Sequence, residues 1–434
     1  MNRKIAYILL FAFFAFPMAA QELLTVEDAV KIALENNYDI RIASNDLRID
    51  KENVSLGNAG FLPTVDATIT DNNSIQNSSQ TRSDGTTTSL DNARNSNLGY
   101  GVNLGWTVFD GFRMFARYDQ LKELQKLGET QLRLTVLDRV REVMSTYYQL
   151  VQQQQQLSAI DSAMVISQQR VTTAQNRFSI GKAAKLEVLN SQVDLNTDQT
   201  NLLRQQELYK NTKTQLNELL ARKIDIDFRV SDSVVVDNNL QLADLISLAE
   251  KQNPQLQAQI INRRVAELQL KQVRAERFPT VSLNTGYNFS ESNSSLGFTS
   301  QSSAHGLNYG FSASMNIFDG FNQRRNEKVA SISIENSKIA IEQQTQALQS
   351  QMTTAFQTYQ TNLNLIGLEE KNRAIAKQNL DITLEKYRIG TITTLELRTA
   401  QLNYINAVVR YSEALSQVKL SEIALRELAG NLVL

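Results

Sequence analysis

Leu98-Gly99-Tyr100-Gly101-Val102-Asn103-Leu104-Gly105-Trp106-Thr107-Val108-Phe109-Asp110-Gly111 decides how this chain is read. Large apolar residues take every even position from Leu98 to Val108, and small or polar residues take the odd ones. A period of two places the two sets on opposite faces of a β-strand. The stretch is also written twice. Leu307-Asn308-Tyr309-Gly310-Phe311-Ser312-Ala313-Ser314-Met315-Asn316-Ile317-Phe318-Asp319-Gly320 repeats the alternation and ends on the same Phe-Asp-Gly turn. Each copy follows a shorter alternating stretch: Val65, Ala67 and Ile69 in one, Val281, Leu283, Tyr287 and Phe289 in the other.

Moving outward, Phe61-Leu62-Pro63-Thr64-Val65 returns as Arg277-Phe278-Pro279-Thr280-Val281, and Phe178-Ser179-Ile180-Gly181 returns as Tyr387-Arg388-Ile389-Gly390. Pro63 and Pro279 are 216 positions apart, whereas Asp110 and Asp319 are 209 apart, so only the segment between them has shortened. A period this long marks a duplicated domain. Each half reads as helix, strand, polar loop, strand, very long helix, tight turn, long helix. The first repeat spans 21–222, with strands at 64–75 and 97–109 and a helical tip at 178–186. The second spans 241–434, with strands at 280–290 and 305–318 and a tip at 387–395. Residues 223–240 link the two as short strand-like structure on the outside of the helices. The Ser-, Thr-, Asn- and Gly-rich stretches 72–97 and 291–304 read as exposed extracellular loops.

The helices carry narrow apolar seams. Val136, Val140, Val143, Tyr147 and Leu150 step by four and three; Leu195, Leu202, Tyr209 and Leu216 step by seven; Leu348, Met352, Ala355, Tyr359 and Ile366 keep a near-heptad. Such seams belong to coiled-coil packing. From Phe112 to Phe178 there is no proline and one glycine, Gly128. A helix of that length would run about 100 Å and must pack along other rods. Asn253-Pro254 opens a further helix, with proline at its first position.

The amino terminus has a basic head at Arg3 and Lys4, an apolar run over 5–16, and small residues to Ala20. Residues 1–20 therefore read as a secretory signal. Without them the charge is 42 basic against 45 acidic, a balance that argues against a nucleic-acid partner. There is no cysteine and one histidine, His305, which excludes thiolate chemistry and makes a histidine-based metal site or triad implausible. Nucleophile elbow, metal-ligand cluster and phosphate loop are all missing, so neither an enzyme nor a cofactor is expected.

No later apolar run reaches membrane-spanning length, so insertion has to use strands. Ten-residue strands with one apolar and one small polar face, in a secreted chain, point to a membrane barrel. Four strands cannot close one. Three copies would supply twelve strands around an open lumen. The fold expected is mainly α with a membrane β-barrel part, in which duplicated helix-strand-strand-helix-helix halves form a trimeric twelve-stranded barrel continued by a coiled-coil tube.

The duplicated strand pairs, the Phe-Pro-Thr-Val and Phe-Asp-Gly motifs, and the paired tips Arg177–Gln192 and Lys386–Gln401 resemble the TolC-like outer membrane efflux proteins over the whole mature chain. The resemblance implies a homotrimer in the outer membrane lipid of a Gram-negative bacterium, with its helical tube in the periplasm. It implies two partners, a periplasmic adaptor and an inner-membrane pump of RND or ABC type, and passive export of what the pump delivers. Gly181, Lys182 and Ala183 at one tip, and Gly390, Thr391 and Ile392 at the other, match the family's adaptor-docking turns. Glu396, six residues after Gly390, matches an acidic position that narrows the periplasmic entrance and favours cations. Tyr387 and Glu187 match the family's latch positions. The latch arginine is replaced by Ile392 and the second acidic ring position by Thr399, which implies a single acidic constriction restrained by Tyr387 and Glu187.

Other readings stay open. Thr393-x-x-Glu396 is also a capping box, and Lys182 and Lys185 also fit a solvated surface. A protein-secretion duct is the nearest functional alternative. A secreted coiled-coil stalk is another, but it has no need of an amphipathic sheet.

Overall fold

In the computed structural model, residues 22–295 and 299–432 are described; the signal segment lies outside them. The elements run β1 (Glu22–Leu24), α1 (Val26–Asn36), α2 (Tyr38–Asn53), α3 (Leu56–Ala59), β2 (Thr64–Thr81), β3 (Thr87–Asp110), α4 (Arg113–Ser179) and α5 (Lys185–Leu219). They continue with β4 (Phe228–Val230), α6 (Leu242–Gln252), α7 (Pro254–Ala275), β5 (Thr280–Ser294), β6 (Gln301–Ser314), α8 (Asn322–Arg388) and α9 (Thr394–Leu428). α4 and α8 are both 67 residues long, and α5 and α9 both 35. No described helix is long and apolar enough to cross a membrane.

The chain divides into two compact units. One holds the described residues within Met1–Ser44, Gln131–Gln257 and Gln344–Leu434. Its core gathers Val140, Val143, Tyr147 and Leu150 of α4 with Leu216 of α5 and Val30 and Ala33 of α1. β1 and β4 pair in parallel and bring Phe228 and Val230 into that core. The Tyr147 hydroxyl joins them, donating to the Leu24 carbonyl at 3.0 Å and accepting the Ser231 N–H at 3.0 Å. The duplication is visible atom by atom here. Asn37 caps α2 through its Oδ1 and donates its amide to the Leu219 carbonyl at 2.8 Å. Asn253 does the same for α7, donating to Leu428 at 2.9 Å. One side chain thus satisfies donors at one helix start and an acceptor at another helix's end, both of which lack intrahelical partners.

The other unit holds Asn45–Thr130 and Ala258–Gln343. Its four-stranded sheet has the order β2-β3-β5-β6, antiparallel throughout. The first hairpin is longer than its hydrophobic pattern announces. β2 and β3 stay paired out to Thr81 and Thr87, so much of 72–97, read from sequence as loop, is strand. Serine and threonine pairs stitch it across the strands, Ser89 to Ser79 at 2.9 Å and Thr81 to Thr87 at 2.9 Å. Both faces there are polar, so no alternation betrays the strand. β6 stops at Ser314, short of the expected 318, because its partner β5 begins at Thr280, opposite Ser314.

Candidate functional site

The sheet's two faces carry opposite chemistry. Along one, the cross-strand rows read Ile69–Tyr100–Phe289–His305, Ala67–Val102–Tyr287–Leu307 and Val65–Leu104–Thr285–Tyr309, with Trp106–Leu283–Phe311 beyond. This face is bare: Tyr309 is 84% and Phe311 79% exposed. Tyr100 stacks on Phe289 at 4.9 Å and Phe289 on His305 at 5.8 Å, an aromatic row at one edge of the apolar band. Apolar area this continuous costs about 25 cal/mol per Å² against water, so the face demands lipid.

The reverse face is glycine and amide. Register sets Gly101 opposite Asn288 and Asn103 opposite Gly286. The Asn288 amide donates to Asn103 at 3.1 Å and to Asn308 at 2.9 Å, forming a ladder that lies along the backbone. A Cβ on Gly101 would sit 2.0 Å from the Asn288 Oδ1 and 2.7 Å from the Tyr287 carbonyl; one on Gly286 would sit 2.3 Å from the Asn103 Oδ1. Each glycine makes room for the amide across from it.

The two hairpin tips meet each other. Gly181 and Gly390 both hold positive φ, 75° and 83°, and end α4 and α8. Lys182, Thr391 and both glycines are exposed; Ala183 and Ile392 are half-buried. Ile392 packs with Tyr387, Leu380, Leu397 and Ala400. Thr393 caps α9, accepting the Glu396 N–H at 3.3 Å and donating its hydroxyl to the Glu396 carboxylate at 3.2 Å. Glu396 is otherwise exposed, as is Thr399, whose hydroxyl returns to the Leu395 carbonyl at 3.0 Å. The cap therefore forms and leaves the carboxylate in solvent.

Tyr387 is 3% exposed, and its hydroxyl meets no hydrogen-bond partner among the described residues. It is joined to Glu187 through Arg177. That guanidinium lies 4.6 Å from the Tyr387 ring centroid, donates to the Tyr387 carbonyl at 2.6 Å and reaches Glu187 at 4.0 Å. The Thr394 hydroxyl also donates to Glu187. A cation is thus present beside the tyrosine and the acid although Ile392 stands at the expected arginine position. It comes from the other hairpin, four residues before Gly181.

Sequence reading missed a second cluster deeper between the hairpins. Arg398 of α9 forks onto Asp198 of α5, at 2.7 and 2.9 Å, with the two side chains 10% and 5% exposed. Asp198 also accepts the Ser167 hydroxyl at 2.6 Å. Gln401 donates to the Ala163 carbonyl at 2.7 Å and to Ser167 at 2.8 Å. Arg170 holds Asp194 at 2.8 Å. Two arginines and two aspartates thus balance; of the four, Arg170, Asp194 and Arg398 line a groove of about 610 Å³ that also touches Arg177, Glu187 and Thr394. Among the described residues no group of three or more His, Asp or Glu side chains is placed to hold a metal.

The outer membrane efflux protein model matches residues 29–222 and 245–431, and the chain belongs to that family. It is 22% identical to outer membrane protein TolC of Vibrio cholerae over 348 residues, 77% of each chain. It is 20% identical to the proteases secretion protein PrtF of Dickeya chrysanthemi over 414 residues, 93% of this chain and 88% of that one. Among solved structures the outer-membrane channel OprN superposes with a TM-score of 0.75 at 18% identity, covering 94% of this chain and 90% of its own. The fold is that of the outer-membrane channels.

Proposed function

We propose that three copies assemble into an outer-membrane duct that passively carries out cargo delivered by an inner-membrane pump through a periplasmic adaptor. One observation carries this reading. The sheet is open, with the long edges of β2 and β6 unpaired and one apolar face bare. Unpaired backbone is not tolerated in lipid, so β6 of one copy has to join β2 of the next until the ring closes. Twelve strands meet that need with room for a lumen.

At the periplasmic end three Glu396 carboxylates, each exposed and beyond its cap, line the narrowest part of the entrance and favour cations. Arg177, Tyr387 and Glu187 hold the tip in its closed arrangement. The exposed turns Gly181-Lys182-Ala183 and Gly390-Thr391-Ile392 form the docking face for the adaptor. The match to PrtF keeps polypeptide export by an ABC-type pump as the second reading, beside efflux by an RND-type pump.

The chain's lack of cysteine makes the test direct. Lys182→Cys and Thr391→Cys are crosslinked separately in cells and the captured protein is identified by mass spectrometry. An adaptor at either tip is the expected result, and the pump that co-purifies decides between efflux and secretion. A blank at both tips, with the protein in the outer membrane, would defeat the docking assignment.

A further inference from the structure

From the register of the sheet we infer that Asp66 is a charge-selectivity determinant of the barrel, separate from the tip. The inference rests on the duct reading above. Asp66 lies opposite Asn103 on β3, on the glycine and amide face. That row sits between the apolar rows of Val65 and Ala67, so the carboxylate is level with the middle of the lipid-facing band but on the other side of the sheet. Along the positions that share this face, over 64–76, 95–107, 280–294 and 302–314, every other residue is Gly, Ala, Ser, Thr, Asn or Gln. Over these positions Asp66 is therefore the one ionisable side chain; Asp110, in the row of Thr280 and Ser314 just beyond them, is buried and turned to the Met114 N–H and to Arg113. No cation on that face neutralises it. β2 is an edge strand, so Asp66 borders the seam with the next copy, whose β6 offers only Ser, Ala, Gly and Asn on the lumen side.

Geometry sets the size of the effect. Twelve strands about 4.8 Å apart and tilted about 40° close at a backbone radius of about 12 Å. Three Asp66 carboxylates then stand about 9 Å from the axis. Screened Coulomb attraction from all three raises the cation concentration on the axis about fivefold at 10 mM salt and about 2.5-fold at 0.1 M, and leaves it almost unchanged at 1 M. The ring acts as a salt-dependent filter with no constriction.

The test uses full-length trimers in planar bilayers, with reversal potentials read across a KCl gradient starting at 10 mM. Glu396→Gln serves as the background, so that the tip does not mask the barrel. Asp66→Asn is expected to lower the cation-to-anion permeability ratio several-fold at low salt and to change nothing at 1 M. Asp66→Cys should react with water-soluble thiosulfonates, an anionic reagent restoring cation preference and a cationic one reversing it. Ala67→Cys, on the lipid side, should not react. An unchanged reversal potential in Asp66→Asn, or an unreactive Asp66→Cys, overturns the assignment while leaving the duct intact. Parent trimers that insert but carry no current would refute the duct reading itself.

Discussion

Cutting the fork between Arg398 and Asp198 is the sharpest test of how the tips are held together. The two side chains are 10% and 5% exposed and meet at 2.7 and 2.9 Å. Arg398→Met leaves the Asp198 carboxylate buried with only the Ser167 hydroxyl; Asp198→Val leaves the guanidinium with Gln401 at 3.3 Å and Asp194 at 3.7 Å. Stranding one member of a buried pair costs about 3–5 kcal/mol, whereas exchanging both for apolar groups is about neutral. The single variants should therefore each loosen the hairpin contact by about 3 kcal/mol, with most of it recovered in the double variant. Hydrogen exchange of the amides around Asp198 and Arg398 reads this directly, since 3 kcal/mol of local opening is more than a hundredfold in rate. A raised resting conductance should accompany it. If each single variant shifts exchange less than tenfold, or if the two effects simply add in the double variant, the fork is not what joins the hairpins.

Two glycines that match in the repeat should respond differently to alanine. A Cβ at Gly111 would meet the Ala275 carbonyl at 2.3 Å, whereas Gly320 has only the end of the Asn322 side chain, at 3.9 Å; both hold positive φ. Gly111→Ala should sharply reduce assembled trimer and Gly320→Ala should cost only about 1 kcal/mol of backbone strain, as read by heat-modifiable migration on gels. Thr393→Ala removes a helix cap and should destabilise the start of α9 by about 1 kcal/mol, visible as faster exchange in its first turn. Toward acid, Asp138 matters. Burial opposes its charge, but hydrogen bonds from Arg141 and then Arg139 outweigh it and hold the carboxyl below its ordinary range. Its stabilising contribution is present above the unfolded value of about 3.9 and is lost as pH falls through the lower folded one, so Asp138→Asn should flatten denaturation midpoints below pH 4. Toward alkali the sign reverses. Burial pushes the Tyr209 phenol up to about 12, so stability present below pH 10 should fall as pH rises through 12, and less steeply in Tyr209→Phe.

The parts of the fold that sequence disclosed are those with a period. Alternation over Leu98–Val108 and the seam at Val140, Val143 and Tyr147 each name a face, and the structure puts those faces where the period implies. Where both faces are polar no period exists, so the outer part of the β2–β3 hairpin passed for loop. The tip divides the same way. Gly181 and Gly390 announce themselves, because an L-residue is strained at their φ. The fork of Arg398 and Asp198 does not, since its members are 200 positions apart and an isolated charge on a helix looks like solvated surface. Arg177 stood inside a motif already singled out. Only the structure connects it to Glu187 across its own turn and to Tyr387, a contact that crosses from one hairpin to the other.

The alternation of glycine with asparagine on the sheet's inner wall bears on what mutation can do to the calibre of the duct. Amides opposite Gly101 and Gly286 lie flat, and any larger residue at those glycines would drive an amide off the wall toward the axis. Substitution there can only reduce the bore. A lineage that needed a wider bore would therefore find no room at these two glycines.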